Sequence, residues 1–183
     1  MKNIISQRRS IFPAQFSPRE VSNLTIEALV KAAHCAPTHR KTEPWRFKIF
    51  QKEAKKALGI EMTEMYAKTA ERYSQTKSKK IVTKVEQSAV VIAICMQRDA
   101  AKRVPEWEEI AATAMAVQNL WLQATDLGLG GYWSSPAFAS HMDTFLALEP
   151  GERCLGFFYL GYFEGPVPQR TRTPWQEKVR WFE

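Results

Sequence analysis

The chain has 183 residues, 45% hydrophobic and 25% charged, which is ordinary for a soluble globular protein and long enough for one domain over residues 1–183. A net charge of +7 permits a nucleic-acid partner, but the cations are scattered and no recognition motif accompanies them. The longest apolar run, Ala89 to Met96, is far too short to span a membrane, and three cysteines without a C-x-x-C pair indicate neither a disulfide framework nor a zinc ribbon.

The start, Met1 to Arg9, lacks the apolar stretch and cleavage site of a secretory signal. With the sparse cysteines, this points to a reducing cytoplasm. Residues 3–9 read as a short first helix, closing on Arg8-Arg9-Ser10. Ser17-Pro18 gives a cap followed by proline at the first helical position. Val21, Leu24, Ala28, Leu29, Ala32 and Ala33 then recur at helical spacing up to about Cys35, before Pro37.

Ala36 to Phe47 is a donor-rich loop bracketed by Pro37 and Pro44, with Thr38, His39, Arg40 and Lys41 between them. Arg46 to Gln51 reads as a strand, and residues 52–75 as a charged surface helix or flap with Leu58, Met62, Met65, Tyr66 and Thr69 as its apolar stripe. The run Lys77-Ser78-Lys79-Lys80 reads as a solvated helix start or a mobile loop. Ser88 to Met96 is a β-branched run typical of a strand buried on both faces, with Cys95 a core thiol.

A long helix is expected from Glu106 to Leu127, with acids in its first turn where the helix dipole favours them. Its Ala111-to-Ala116 segment would let another helix or a second subunit approach closely. Gly128 to Gly131 ends it, Gly128 serving as a helix cap or leaving room for a ligand, and Tyr132 to Ser135 begins a strand. Pro136 to Leu146 reads as helical and Cys154 to Tyr162 as the last strand. The tail from Phe163 holds Pro166, Pro168 and Pro174 with Trp175, Trp181 and Phe182, too aromatic for a solvated end, so it should wrap over a surface, its own or another subunit's. The result is an α+β domain: a mixed central sheet flanked by helices, with an extended C-terminal tail.

Four stretches could carry chemistry. Arg8, Arg9 and Ser10 offer guanidinium forks and a hydroxyl that suit a phosphate, or else form a basic turn. The Thr38–Lys41 loop is the second. The third is Gly128 to Ser135, where helix, glycines and strand follow in the reverse of the dinucleotide-binding order. In the tail, Arg170 and Arg172 lie two apart and point the same way if extended. No catalytic triad, paired-carboxylate motif, P-loop, nucleophilic cysteine or metal signature appears, so a bound cofactor is the natural source of chemistry.

In order and spacing these stretches resemble the nitroreductase family, in its short FMN-dependent form. Arg8, Arg9 and Ser10 match an R-[RH]-S opening, and Ala36 to Phe47 is similar to A-P-S-x-x-N-x-Q-P-W-x-F. Gly128 to Trp133 matches G-[LF]-G-G-x-W, and Gly156 to Tyr162 matches G-F-x-Y-L-G-Y. Lys41, Glu43 and Phe12 depart from the family's usual Asn, Gln and basic residue; Glu43 is expected to pair with Lys41 or Arg46.

The resemblance implies a homodimer with FMN at the subunit interface, NAD(P)H as electron donor, and a nitroaromatic, quinone or similar electrophile as acceptor, in a ping-pong hydride transfer. Arg8, Ser10 and Arg170 or Arg172 would grip the phosphate and ribityl chain; Arg9, His39 and Cys35 would line the flavin. Trp133, Ser134 and Ser135 would lie along the isoalloxazine, with Gln123 to Gly128 near the nicotinamide and Trp133 or Tyr66 against the acceptor. No catalytic side chain is required. Relatives with another flavin reaction, and a flavin-binding sensor with little turnover, are the alternatives.

Overall fold

A computed structural model describes residues 2–167 and 169–183, with side chains from Ile4 onward; Met1 of the chain's start and Pro168 of the tail lie outside the described residues. The elements in chain order are α1 (Lys2–Gln7), α2 (Asn23–His34), β1 (Trp45–Phe50), α3 (Lys52–Thr69), α4 (Gln75–Gln87), β2 (Val90–Gln97), α5 (Glu106–Asp126), β3 (Leu129–Ser134) and β4 (Glu152–Tyr162). Short 3-10 turns punctuate them, and the Pro136-to-Leu146 stretch expected as a helix holds only one, Ala137–His141.

The strands form one sheet in the order β1-β2-β4-β3. The expected mixed sheet is corrected here: all three ladders are antiparallel, and the parallel element is the isolated bridge Ser10–Gly131. The connections explain this, because each paired strand returns along its neighbour, while only the residue leaving α1 runs beside β3 in the same sense.

β2 is the central element that its composition suggests. Val90, Ile92 and Ile94 enter a core layer with Leu29 and Ala33 of α2, Ala116 and Leu120 of α5, and Phe158 and Leu160 of β4. Val91, Ala93 and Cys95 face the opposite layer, with Leu58 and Met62 of α3, Val85 of α4, and Phe157 and Tyr159. The two-residue period of a strand divides the run between two cores. Each large side chain so buried contributes roughly 1.5–3 kcal/mol.

The start of α2 differs from expectation. Ser22, not Ser17, is its cap, accepting from the Thr25 amide at 3.1 Å. Ser17 is used elsewhere: its amide donates to the Tyr162 carbonyl at 2.7 Å, and Phe16 bridges Phe163. Residues 16 and 17 are thus held extended against the end of β4, and helix begins only beyond them. Leu24 of the expected apolar stripe is exposed, and Ile26 takes its place inside.

Residues 52–75 are also more than one helix. α3 ends at Thr69, and α4 begins after Ser74, whose hydroxyl caps the Lys77 amide. The lysine run is therefore the start of α4.

The loop before α5 is fixed by charge. The Glu109 carboxylate, fully buried, accepts from Arg98 Nη1 and from the Asp99 amide at 2.9 Å, while Arg98 Nη2 donates to the Val104 carbonyl at 2.6 Å. Asp99 is gripped in turn by Arg103 at 2.9 Å, whose guanidinium holds that carboxyl down at about 2.

Candidate functional site

Arg8 leaves α1 with its guanidinium carbon 4.4 Å from the centre of the Trp121 ring of α5. The indole faces the cation on one side and meets Phe158 edge-on at 5.2 Å on the other. Arg8 Nη1 is buried without a hydrogen-bond partner. Burial, with repulsion from Arg172, Arg9 and Arg170, pulls its pKa below the ordinary arginine value. The two tail arginines thus lie near enough to act on the Arg8 charge across more than 160 residues of sequence.

Arg9 turns back, its Nη1 donating to the carbonyls of Ser6 and Arg8, and its Nε is a second buried donor without a partner. Beside it a cavity of about 660 Å³ opens between α1, the α5–β3 turn and the tail, reaching Gly128, Val167 and Gln169.

The next residue in sequence, Ser10, is pinned along β3. It bridges Gly131, and the Ile11 amide donates to the Gly131 carbonyl at 3.0 Å. Gly131 is needed for this closeness, because a Cβ there would stand 2.3 Å from the Phe158 ring and 3.1 Å from Trp121 Nε1. Gly128 is the cap of α5, at a φ of +74° with its amide on the Thr125 carbonyl, and a Cβ there would meet open space. The capping reading thus describes Gly128, while Gly131 leaves room for the Phe158 and Trp121 side chains of the chain itself.

Two residues on, Trp133 presents a buried Nε1 with no partner. Ser134 is half-buried at the strand's end and Ser135 is exposed, beside the Tyr132 side of the sheet. Tyr132 stacks on Tyr159 at 6.0 Å and meets Phe12 at a tilt at 4.6 Å, with Lys84 of α4 5.4 Å from its ring centre.

His39 and Cys35 lie elsewhere. His39 Nδ1 is 2.6 Å from the Glu108 carboxylate, in the first turn of α5. Cys35 is exposed, its thiol donating to the Lys31 carbonyl at 3.4 Å. Arg8 rests on Trp121, thirteen residues further along α5, which at 1.5 Å per residue is about 20 Å from Glu108. One protomer therefore gathers Arg8, Arg9, Ser10, Arg170 and Arg172 at one end of α5, and holds His39 at the other.

The loop around His39 is strained. Arg40, Lys41 and Glu43 all have positive φ, at 51°, 55° and 42°. Three non-glycine residues in the left-handed region within four positions are held only by a surrounding that dictates them. Thr38 is part of that surrounding, accepting from the Glu43 amide at 3.2 Å and bonding Thr42 at 3.0 Å. The expected Glu43 carboxylate pair is absent among the described residues: Arg46 donates to the Glu43 and Trp45 carbonyls instead.

No motif marks Trp121 as the platform under Arg8, nor Lys80 and Lys84. The i, i+4 spacing of those lysines on a helix with a single acid was the available signal for the latter.

Comparison with known proteins bears on the family and the fold. The family model described as "Nitroreductase family" matches residues 5–162. The Bacillus subtilis protein YfhC, named provisionally as an NAD(P)H nitroreductase, is 28% identical over 181 residues, covering 97% of this chain and 92% of its own. A nitroreductase-like family protein from Bacillus cereus superposes with a TM-score of 0.84 at 26% identity, covering 100% of this chain and 95% of its own. A Desulfovibrio desulfuricans structure, named provisionally as a nitroreductase and in complex with FMN, shares the fold with a TM-score of 0.76 at 22% identity, covering 100% of this chain and 96% of its own. The chain belongs to the nitroreductase family and is an oxidoreductase.

Proposed function

We propose that the chain is an FMN-dependent enzyme that takes electrons from NAD(P)H and passes them to nitroaromatic, quinone or similar electrophilic acceptors. The observation that carries the reading is the buried, unpartnered Arg8 Nη1 amid Arg9, Arg170 and Arg172. Guanidiniums so crowded repel one another, and a phosphate dianion would reverse that repulsion into bidentate pairing. The residues present fit FMN: Arg8, Ser10 and Arg170 or Arg172 for its phosphate and ribityl chain, Arg9 along the flavin, and Trp133, Ser134 and Ser135 for its ring. FMN would supply hydride acceptance and donation in alternating half-reactions, a ping-pong scheme.

The chain's own residues do the holding. Trp121 keeps Arg8 aimed, a contact worth about 1 kcal/mol. The unpartnered Trp133 Nε1 and the amides at the end of β3 are donors already in place for a polar ring edge.

The same reading includes a homodimer. In one protomer His39 lies nearly four turns of α5 from Arg8, so a second copy would bring it to the flavin. Met115, exposed near the middle of α5, and the exposed Trp175, Trp181 and Phe182 of the tail are apolar surface for that copy to cover. Exposed Cys35 fits a reducing cytoplasm, and among the described residues no helix is long and apolar enough to cross a membrane.

The test is direct. Purified protein should carry or take up FMN, and anaerobic NADH or NADPH should bleach it. Arg8→Ala should release it. Full stoichiometric flavin in that variant would remove Arg8 from the phosphate role, and a protein that cannot be loaded with FMN would end the reading.

A further inference from the structure

The face of the sheet away from α5 holds a second cavity. It has a volume of about 320 Å³ and lies between the α3–α4 pair and the end of β3, where Ser134 forms part of its wall. Met62, Phe138 and Tyr159 make a buried apolar floor, and Tyr66 stands at one side. Lys77, Lys80 and Lys84 of α4 line the other side. Spaced three and then four apart, they share one helix face.

These lysines differ from an ordinary solvated face. A solvated helix interleaves acids with its lysines, but α4 has Glu86 alone, and Glu86 acts on Lys55 across the α3–α4 seam. Among the described residues no carboxylate pairs with Lys77, Lys80 or Lys84. Lys84 lies over the Tyr132 ring, and Lys80 and Lys84 also wall a second apolar hollow containing Phe12. Unneutralised ammoniums beside an aromatic floor make a site with two demands, a flat apolar body and a negative group at its edge. The volume lies at the low end for ligand sites, enough for one substituted ring and too small for a dinucleotide.

We propose that this cavity selects aromatic electron acceptors that carry an anionic substituent, such as a carboxylate or sulfonate. The arene would lie on the Tyr159–Phe138 floor beside Ser134, and the anion would lie among Lys77, Lys80 and Lys84. This rests on the flavoprotein reading above, because Ser134 is the residue shared by the cavity and the candidate flavin edge.

The experiment compares 4-nitrobenzoate with the neutral 4-nitrobenzamide, using FMN-loaded wild type and the double variant Lys77→Gln/Lys80→Gln. Lys84→Gln is examined separately. The kcat/KM ratio of acid to amide should fall roughly tenfold in the double variant, mainly through KM, with the amide unchanged. Raising the salt to 0.5 M should shrink the wild-type preference in the same direction.

An unchanged ratio would overturn the proposal, as would equal losses on both acceptors. Loss of FMN from the double variant would reassign its lysines to the cofactor. A shifted NADPH-to-NADH ratio with no change between acceptors would reassign them to the donor's phosphate; both outcomes reject the proposal. If the wild type takes no FMN, the flavoprotein reading fails by itself. Calorimetric titration of the isolated protein with 4-nitrobenzoate then decides the cavity: binding that the double variant loses supports it, and no binding sinks it.

Discussion

Two clusters of arginine lie at opposite ends of α5, and they differ in one respect. At the N-terminal end, Arg98 meets the buried Glu109, and the Val104 carbonyl takes a further donor. At the other end, Arg8 is surrounded by Arg9, Arg170 and Arg172, and its Nη1 has no partner. The first cluster is complete and closes a loop. The second has no such partner in the chain, and under the proposed function an FMN phosphate would complete it. A cation paired within the chain serves the architecture; a buried donor atom left without a partner is a candidate place for a ligand.

Breaking the complete cluster should have the largest effect. Glu109→Ala would leave Arg98 partly buried without its carboxylate, and should lower unfolding free energy by about 3–5 kcal/mol in urea titration. A loss below 1 kcal/mol would mean that water reaches Arg98 and that the two ends of α5 differ less than described.

The incomplete cluster should respond in the opposite way. Arg8→Ala removes repulsion along with the Trp121 contact, so the flavin-free protein should change by less than about 1 kcal/mol. What it should lose is the added stability from FMN, about 2.7 kcal/mol when the ligand is at a hundred times its Kd. Thermal melts of both proteins with and without FMN measure this.

A steric change sharpens the same end. Gly131→Ala would push a methyl into Phe158 and toward Trp121, and overpacking of this kind should reduce stability by about 1–3 kcal/mol. Because Trp121 supports Arg8, FMN affinity should fall as well. Unchanged affinity in a destabilised variant would separate the platform from the grip.

The smallest effect is at the margin of the complete cluster. Asp99 has a carboxyl held at about 2 by Arg103, below its usual value of 3.8. A depressed folded-state pKa contributes stability above the unfolded value, and that contribution is lost as pH falls from 3.8 toward 2. Asp99→Asn should therefore be slightly less stable than wild type at neutral pH and converge with it as pH falls toward 2, which flattens the acid limb in that window. A steeper acid limb in the variant would contradict the assignment.

These regions were not equally readable from the sequence. The β-branched run 90–96 announces a strand buried on both faces, because hydrophobic transfer alone dictates it. Arg8 to Ser10 and the glycine run before Trp133 were visible as candidates through their residue types and order. The start of α2 was misplaced because Ser17 and Ser22 are both chemically able caps, and a tertiary bond to Tyr162 decides between them. The break between α3 and α4 was hidden by charge, since α4 buries little beyond Val85. The meeting of Arg98 with Glu109 has no motif, and the nearness of the tail arginines to Arg8 has no spacing to read; only the folded chain creates either.

The length of α5 has a further consequence for symmetry. A twofold axis across the middle of this helix would set the His39 end of one copy beside the Arg8 end of the other, and would do so twice. Sites formed that way exist in pairs or not at all. A charge placed at the midpoint, such as Met115→Glu, would then remove both flavins at once, and a half-loaded protein would have to owe its asymmetry to something other than assembly.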